Sequence, residues 1–298
     1  MLREPSVKII LRKMASKGKS GPTCLTKQFD SFPKLYHFTN MYAALQIVES
    51  KKLKFSKLAG TNDLCENFKN PYYDCGIKEN QIDDIRKEIQ KREQISLTVD
   101  KKDASGLRGF ELQQMWGLYA DKCFGVCLVF DKSKFKKLLE KENWDYKEVV
   151  YSENASGDVS VEDNGHTITT ISSDDSKKTD PFFQKRKEWE HEQEFRVLAK
   201  FDDSQSAHYF DFGDSLKYVI MRRAKTIDEK DSLANSVEYK VLKKVLDGTD
   251  VKILFYDSFC SNYSLSDEKG NVYWCSDANE FNENLELDID NDTCKQNN

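Results

Sequence analysis

Apolar positions change period several times along the chain, and each change marks a predicted element. Lys34-Leu35-Tyr36-His37-Phe38 reads as a strand; Tyr42, Leu45, Ile47 and Val48 then recur at roughly helical spacing through Ser50. Thr39 or Asn40 is placed to cap that helix, because its side-chain oxygen can accept an amide proton that the first turn leaves orphaned. Leu53 to Ser56 is a short extended piece leading into a loop at Gly60-Thr61-Asn62-Asp63. Residues 77 to 95 read as a charged helix with Ile82, Ile85 and Ile89 as its buried stripe. Gln113 to Ala120 predicts a short helix, Phe124 to Phe130 a strongly apolar strand, and Asp131 the cap of a helix carrying Phe135, Leu138 and Leu139. Lys147 to Ser152 predicts another strand. From Glu153 to Asp180 the composition turns to Ser, Asp, Asn and Gly, as in a surface insertion with at most a weak hairpin. Phe182 to His191 reads as helix, and Glu194 to Phe201 alternates as a strand should. Leu216 to Met221 and Val251 to Tyr256 complete the strand set, with a helix between them near Ser232 to Leu246.

No internal repeat is visible, and strands and helices are irregularly mixed. That order predicts an α+β class: a single domain with a mixed, mostly antiparallel sheet flanked by helices. Residues 1–22 form a basic arm closed by Gly21-Pro22, expected to be flexible. Residues 23–278 form the domain, with the polar insertion at about 153–180, and 279–298 an acidic flexible tail.

Composition narrows the class further. Hydrophobic residues make up 38% of the chain, aromatic residues 12% and charged residues 33%, which suits a core rich in rings beneath a wet surface. No apolar run approaches the roughly 20 residues a spanning helix requires, so no membrane contact is expected. The apolar patch from Val7 to Leu11 is too short for a secretory signal, and a cytoplasmic location follows as the expectation. Net charge is −5, and Lys and Glu interleave almost everywhere instead of forming a basic stripe. The eight cysteines contain no C-x-x-C pair or zinc-finger spacing, so free thiols are expected.

Three segments carry groups with chemistry to offer. His37, between Tyr36 and Thr39 at a strand-to-helix junction, can hold a ribose hydroxyl or act as acid or base; it can equally be a structural histidine bonded to a carbonyl. Glu192, Glu194 and Arg196 fall on one face of a predicted strand, with Phe195, Val197 and Ala199 on the other. Two adjacent carboxylates with a guanidinium suit stabilisation of a cation or deprotonation of a hydroxyl, and also suit an ordinary surface ion-pair ladder. Trp116 and Tyr119 lie three apart on a helix face, where they can stack on a planar ring or fill a core. Asn62-Asp63 is either an Asx turn or a ligand-facing corner. No Walker loop, G-x-S-x-G elbow or H-E-x-x-H motif occurs, and no metal site is expected.

Taken in order, several stretches resemble a bacterial family catalogued as domain of unknown function 2971. They are Leu35-Tyr36-His37-Phe38-Thr39, Leu53-Lys54-Phe55-Ser56, Asn62-Asp63, Met115-Trp116-Gly117-Leu118-Tyr119-Ala120-Asp121 running into Gly125 to Phe130, and Trp189 to Arg196. The resemblance spans roughly residues 34 to 220. The family usually places Pro and then Glu after Asn-Asp, whereas Leu64 and Cys65 precede Glu66 here. The layout is also similar to the ADP-ribosyltransferase superfamily, in which a strand bearing Tyr-His-x-Thr is followed by a nicotinamide-stacking aromatic and a late strand opening on the catalytic Glu.

That second resemblance implies an ADP-ribosyltransferase-like fold and an NAD-consuming ADP-ribosyltransferase or NAD glycohydrolase, serving as a bacterial toxin or phage-defence effector. Glu194, Glu192 and His37 would be catalytic. Tyr36, His37, Thr39, Asn62, Asp63, Trp116, Tyr119 and Arg196 would line the NAD site. The acceptor would be nucleic acid or protein, and a neutralising partner protein is a further expectation. Two alternatives stay open: a non-catalytic nucleotide- or partner-binding defence protein, and a metal-dependent nuclease built on His37, Asp63, Glu192 and Glu194.

Overall fold

The computed structural model describes residues 25–58, 91–102, 106–153, 158–161, 168–171, 181–201, 205–222, 236–259, 262–269 and 271–275. They form an α+β protein whose strands pair mostly antiparallel, and they group into two compact units. One unit is drawn from residues 34–217, the other from the described residues before 34 and after 217.

The main sheet of the unit from 34 to 217 uses β1 (Lys34–Thr39), β4 (Arg92–Thr98), β5 (Val126–Asp131), β6 (Asp145–Glu148) and β11 (Glu194–Lys200), in the order β5-β1-β4-β11-β6, antiparallel throughout. Around it lie β2 (Lys52–Lys54), β3 (Ser56–Lys57), β7 (Val150–Ser152), β8 (Asp158–Val161), β9 (Ile168–Ile171), β10 (Gln184–Arg186) and β12 (Tyr209–Asp211). β3 pairs with β4, β12 with β2, and β10 runs parallel to β7.

Local chemistry sets the helices of this unit. Helix α1 (Met41–Ser50) starts where the Asn40 side chain accepts the Ala43 amide at 2.8 Å, and stops at Lys51 in the left-handed conformation. Helix α2 (Gln113–Tyr119) buries Met115 and Trp116. Helix α3 (Lys132–Glu142) begins directly from β5, because Asp131 accepts the amides of Ser133 and Lys134 at 2.9 and 3.1 Å. Its buried face, Phe135 and Leu139, meets an aromatic cluster. Phe135 lies 5.4 Å from Phe130 and 4.8 Å from Phe210, while Phe55, Trp144 and Phe201 stack edge to face beside them. Edge-to-face rings fill space densely and add to the hydrophobic term, which explains the use of so many Phe residues.

Two glycines are forced by close approach. A Cβ on Gly109 would come within 2.3 Å of the Tyr36 ring, and one on Gly125 within 2.2 Å of the Thr39 carbonyl oxygen. The first lets the turn at Gly109–Glu111 lie flat on β1; the second lets the chain entering β5 pass the β1–α1 junction.

In the other unit, the Tyr218–Arg222 part of β13 (Leu216–Arg222) pairs in parallel with β14 (Lys252–Phe259). β14, β15 (Asn262–Ser266) and β16 (Val272–Cys275) then form an antiparallel meander. Helix α4 (Val237–Val245), capped by Ser236, supplies the crossover that two parallel strands require.

The structure corrects several elements. Arg92–Thr98 is a strand, not the end of a helix over 77–95: Ile95, Leu97 and Val99 alternate with polar residues, and that period of two overrides the helical reading. Ile82, Ile85 and Ile89 lie outside the described residues. Phe182 to His191 is not one helix but a 3-10 turn, the strand β10 and a second 3-10 turn over Lys187–Glu192. β15 and β16 extend the strand set beyond Tyr256, held by buried Leu265, Val272, Tyr273 and Trp274. The polar insertion does carry a hairpin, β8 with β9. The basic arm and acidic tail lie outside the described residues. Among those residues, no helix is long and apolar enough to cross a membrane, and Cys123 and Cys127 are free thiols.

Candidate functional site

β4 has an uneven edge. Along one side it pairs with β11 over its whole length. On the other side it meets β3 at Glu93 and Gln94, and β1 only at Thr98 opposite Tyr36. Among the described residues no strand pairs with Ile95 to Leu97 on that side, and a cavity of about 220 Å³ opens there. Its walls are Tyr36, His37 and Phe38 of β1, and Gln94 through Thr98 of β4. Consecutive residues from both strands line it, so backbone edges as well as side chains face the space.

Lys54 and Ser56 close one end; Met115, Tyr119, Lys185, Glu192 and Glu194 close the other. The pairing Glu194↔Thr98 and Ser56↔Gln94 fixes this polarity. Four residue steps along β4 separate the two pairs, a span of roughly 13 Å at about 3.3 Å per residue.

His37 bridges the gap. Its Nδ1 lies 3.2 Å from the Ser96 carbonyl oxygen, which can only accept, so Nδ1 carries the proton and Nε2 the lone pair. Burial pushes the imidazole down from its ordinary 6.5, with the bond to Ser96 opposing in part. His37 is therefore a neutral group at pH 7.

The charged end is a balanced cluster of two acids and two bases. Arg196, fully buried, donates from Nε and Nη2 to the two oxygens of Glu194 at 2.9 Å each, and from Nη1 to the Phe182 carbonyl at 2.6 Å. Lys185 Nζ stands 2.6 Å from Glu192 and 2.9 Å from Glu194. The Tyr119 hydroxyl donates to the other Glu192 oxygen. Burial alone would raise the Glu194 carboxyl, but the Arg196 guanidinium and the Lys185 ammonium outweigh it and hold the group well below the usual carboxylate range. The Glu194 amide donates to the Tyr151 hydroxyl at 2.8 Å, and burial pushes that phenol well up.

A backbone irregularity brings the two acids together. Glu192 ends a 3-10 turn, and Gln193 adopts φ 45°, ψ 52°, a left-handed conformation uncommon for a residue with a Cβ. Glu192 is therefore not part of the strand. The expectation of three charges on one strand face holds for Glu194 and Arg196, while Glu192 reaches Lys185 from the turn. The exposed ion-pair ladder is replaced by a buried network, since Lys185, Glu192 and Glu194 are all 7% exposed or less.

Of the sequence-derived site residues, His37, Tyr119, Glu192 and Glu194 share the cavity wall, with Tyr36 at its back. Tyr36 is sealed, its hydroxyl donating to Asp100 at 2.7 Å. Trp116 does not line the cavity: it is fully buried, edge-on to Phe38 at 5.3 Å, with its Nε1–H donated to the Phe110 carbonyl at 2.7 Å. Its place is the core, which corrects its reading as a stacking surface. Thr39 ends β1 opposite Val126 and does not line the cavity. Arg196 stands behind Glu194, acting through it. Asn62 and Asp63 lie outside the described residues.

Sequence reasoning missed Lys185 and Gln94. Lys185 sits inside the segment read as a helix, and Gln94 at the end of the other such segment; the alternation in Arg92–Thr98 was the signal that could have placed Gln94. Its side-chain oxygen is buried against the cavity without a hydrogen-bond partner among the described residues, and the residue is 5% exposed. An unmet buried acceptor costs about 1–3 kcal/mol. Among the described residues no group of three or more His, Cys, Asp or Glu side chains is placed to hold a metal ion. Lys185, Arg196 and Tyr119 already occupy the carboxylate oxygens that a cation would need.

Residues 115–197 match the family described as "Protein of unknown function (DUF2971)", so this stretch of the chain is similar to that family. The match takes in Trp116, Tyr119, Lys185, Glu192, Glu194 and Arg196, and leaves out Tyr36, His37, Thr39, Asn62 and Asp63. No curated protein matches the chain.

Proposed function

We propose that this protein consumes NAD, as an ADP-ribosyltransferase or an NAD glycohydrolase. The observation that carries the reading is the meeting of His37, Tyr119, Glu192 and Glu194 on the wall of one cavity. Cleaving nicotinamide from ribose breaks a carbon–nitrogen bond. The electron pair leaves with the nicotinamide nitrogen, and positive charge builds on the sugar, as in glycoside cleavage. Glu194, kept ionised by its neighbours, stabilises that cation more than the neutral sugar before it, and such differential stabilisation lowers the barrier.

In this reading Glu192 takes the proton of the attacking hydroxyl, which is water in the glycohydrolase case and an acceptor hydroxyl in the transferase case. Tyr119 provides a flat ring beside it, and the unprotonated Nε2 of His37 accepts from a ribose hydroxyl. At about 220 Å³ the cavity is below the roughly 300–1,000 Å³ of pockets that enclose a whole drug-sized ligand, so the sugars would enter it while the bases extend beyond it. A role in bacterial toxicity or phage defence, with nucleic acid or protein as acceptor, belongs to the same proposal.

A second reading rests on a different observation: every oxygen of Glu192 and Glu194 already has a cation or hydroxyl against it. A cluster so neutralised suits binding a nucleotide without turnover. NAD labelled in its adenosine half, supplied with DNA, RNA, cell lysate or buffer alone, separates the two. Label transferred to an acceptor or released as ADP-ribose supports the enzyme. Intact NAD retained with all four supports the binding protein.

A further inference from the structure

We infer that Gln94 and Ser56 form a second subsite of the cavity, which binds a sugar hydroxyl of a nucleotide at the end remote from Glu194. The inference rests on the nucleotide reading of this cavity and adds where the rest of the ligand goes.

Three features define the subsite. The Gln94 side-chain oxygen is buried at the cavity wall with no partner among the described residues, an unusual state, because folded proteins satisfy the great majority of such groups. Ser56 is its cross-strand partner, so both side chains stand on one face within reach of the same group. Lys54, from β2, lines the same end and supplies positive charge.

A hydroxyl is the group that answers this arrangement. Its proton satisfies the Gln94 oxygen, and its oxygen can accept from the Ser56 hydroxyl. The Lys54 ammonium beside them favours a sugar that carries phosphate. The two ends lie roughly 13 Å apart along β4, so a ribose at Glu194 and a phosphorylated sugar at Gln94 can belong to one dinucleotide. Bridging them at mid-cavity is the His37–Ser96 contact.

The same geometry explains why a buried acceptor is left unmet in the free protein. Groups that wait for a ligand carry a stability cost that selection tolerates for function.

Two measurements on the full chain test the subsite. The first is the melting temperature of the ligand-free protein carrying Gln94→Met, a side chain of similar size without the amide. An unchanged or higher melting temperature is expected; a clear fall means the amide already serves the fold, and overturns the inference. The second is calorimetric binding of AMP, ADP-ribose and NAD to wild type and Gln94→Met. Loss of one neutral hydrogen bond predicts binding about threefold to tenfold weaker in the variant. Equal binding by both proteins overturns the subsite, even if wild type still releases nicotinamide from NAD. Gln94-dependent binding of AMP or ADP-ribose without nicotinamide release leaves the subsite standing and removes the enzymatic reading. No binding of any of the three to wild type removes both.

Discussion

Arg196 closes on Glu194 through two parallel contacts, Nε to Oε1 and Nη2 to Oε2, each at 2.9 Å and sealed from solvent. A bidentate pair of this kind fixes the carboxylate in orientation as well as charge. Replacing Arg196 with Leu would remove both contacts to the buried Glu194 carboxylate, leaving it the Lys185 ammonium, and would remove the Nη1 donation to the Phe182 carbonyl. The expected loss is about 3–5 kcal/mol, or roughly 10 °C in melting temperature. Arg196→Lys should recover only part of it, since an ammonium cannot supply both parallel contacts. Thermal melts of the two variants check the order.

Lys185 serves both acids, at 2.6 and 2.9 Å. Lys185→Met should therefore harm Glu192 and Glu194 together. The double variant Lys185→Met with Glu192→Gln should be more stable than Lys185→Met alone, because it removes a buried carboxylate that has lost its ammonium, whereas Glu194 keeps Arg196. Denaturant titrations of the single and double variants measure that difference.

Trp116 and Tyr119 are three residues apart on α2, yet their roles separate. Trp116→Phe removes the indole N–H donated to the Phe110 carbonyl and should cost about 1–3 kcal/mol, with nucleotide affinity unchanged once the protein is folded. Tyr119→Leu removes a ring from the cavity wall and a donor from buried Glu192, so it should lower both stability and nucleotide affinity. Melting curves and calorimetry on both variants test the contrast.

Acid should destabilise the protein in two stages. His37 has a lowered value in the fold, so its contribution is complete above about pH 6.5 and is lost as pH falls toward the folded value. Glu194 is likewise lowered: its contribution is complete above the ordinary carboxylate value of 4.5 and is lost as pH falls further, through the folded value. Unfolding free energy measured from pH 8 to 3 should decline first below about 6.5 and again below about 4.5. In Glu194→Gln the second decline should shrink. By NMR, the His37 ring should titrate with a midpoint below 6.5.

Much of the frame was legible because it rests on local chemistry. The strand at Tyr36-His37-Phe38, the caps at Asn40 and Asp131, and the apolar strand through Val129 each declare themselves by spacing or by one side-chain oxygen. What escaped depended on distant partners. Lys185 looks like one more surface lysine until the 3-10 turns fold it back onto Glu192. The left-handed backbone at Gln193 cannot be read from its residue type, and it takes Glu192 out of the strand. Trp116 and Tyr119 share a periodicity that fits core and ligand equally; Phe38 and Phe110 decide for one, Glu192 for the other.

Cleavage of the bond between nicotinamide and ribose beside Glu194 is the proposed activity. The most direct measurement follows nicotinamide released from NAD by the purified protein and by Glu194→Gln, with both shown folded by their melting curves. Release by the wild type and none above background by the variant is the expected result. Release at equal rates from both, or no release by the folded wild type with any acceptor, would contradict it.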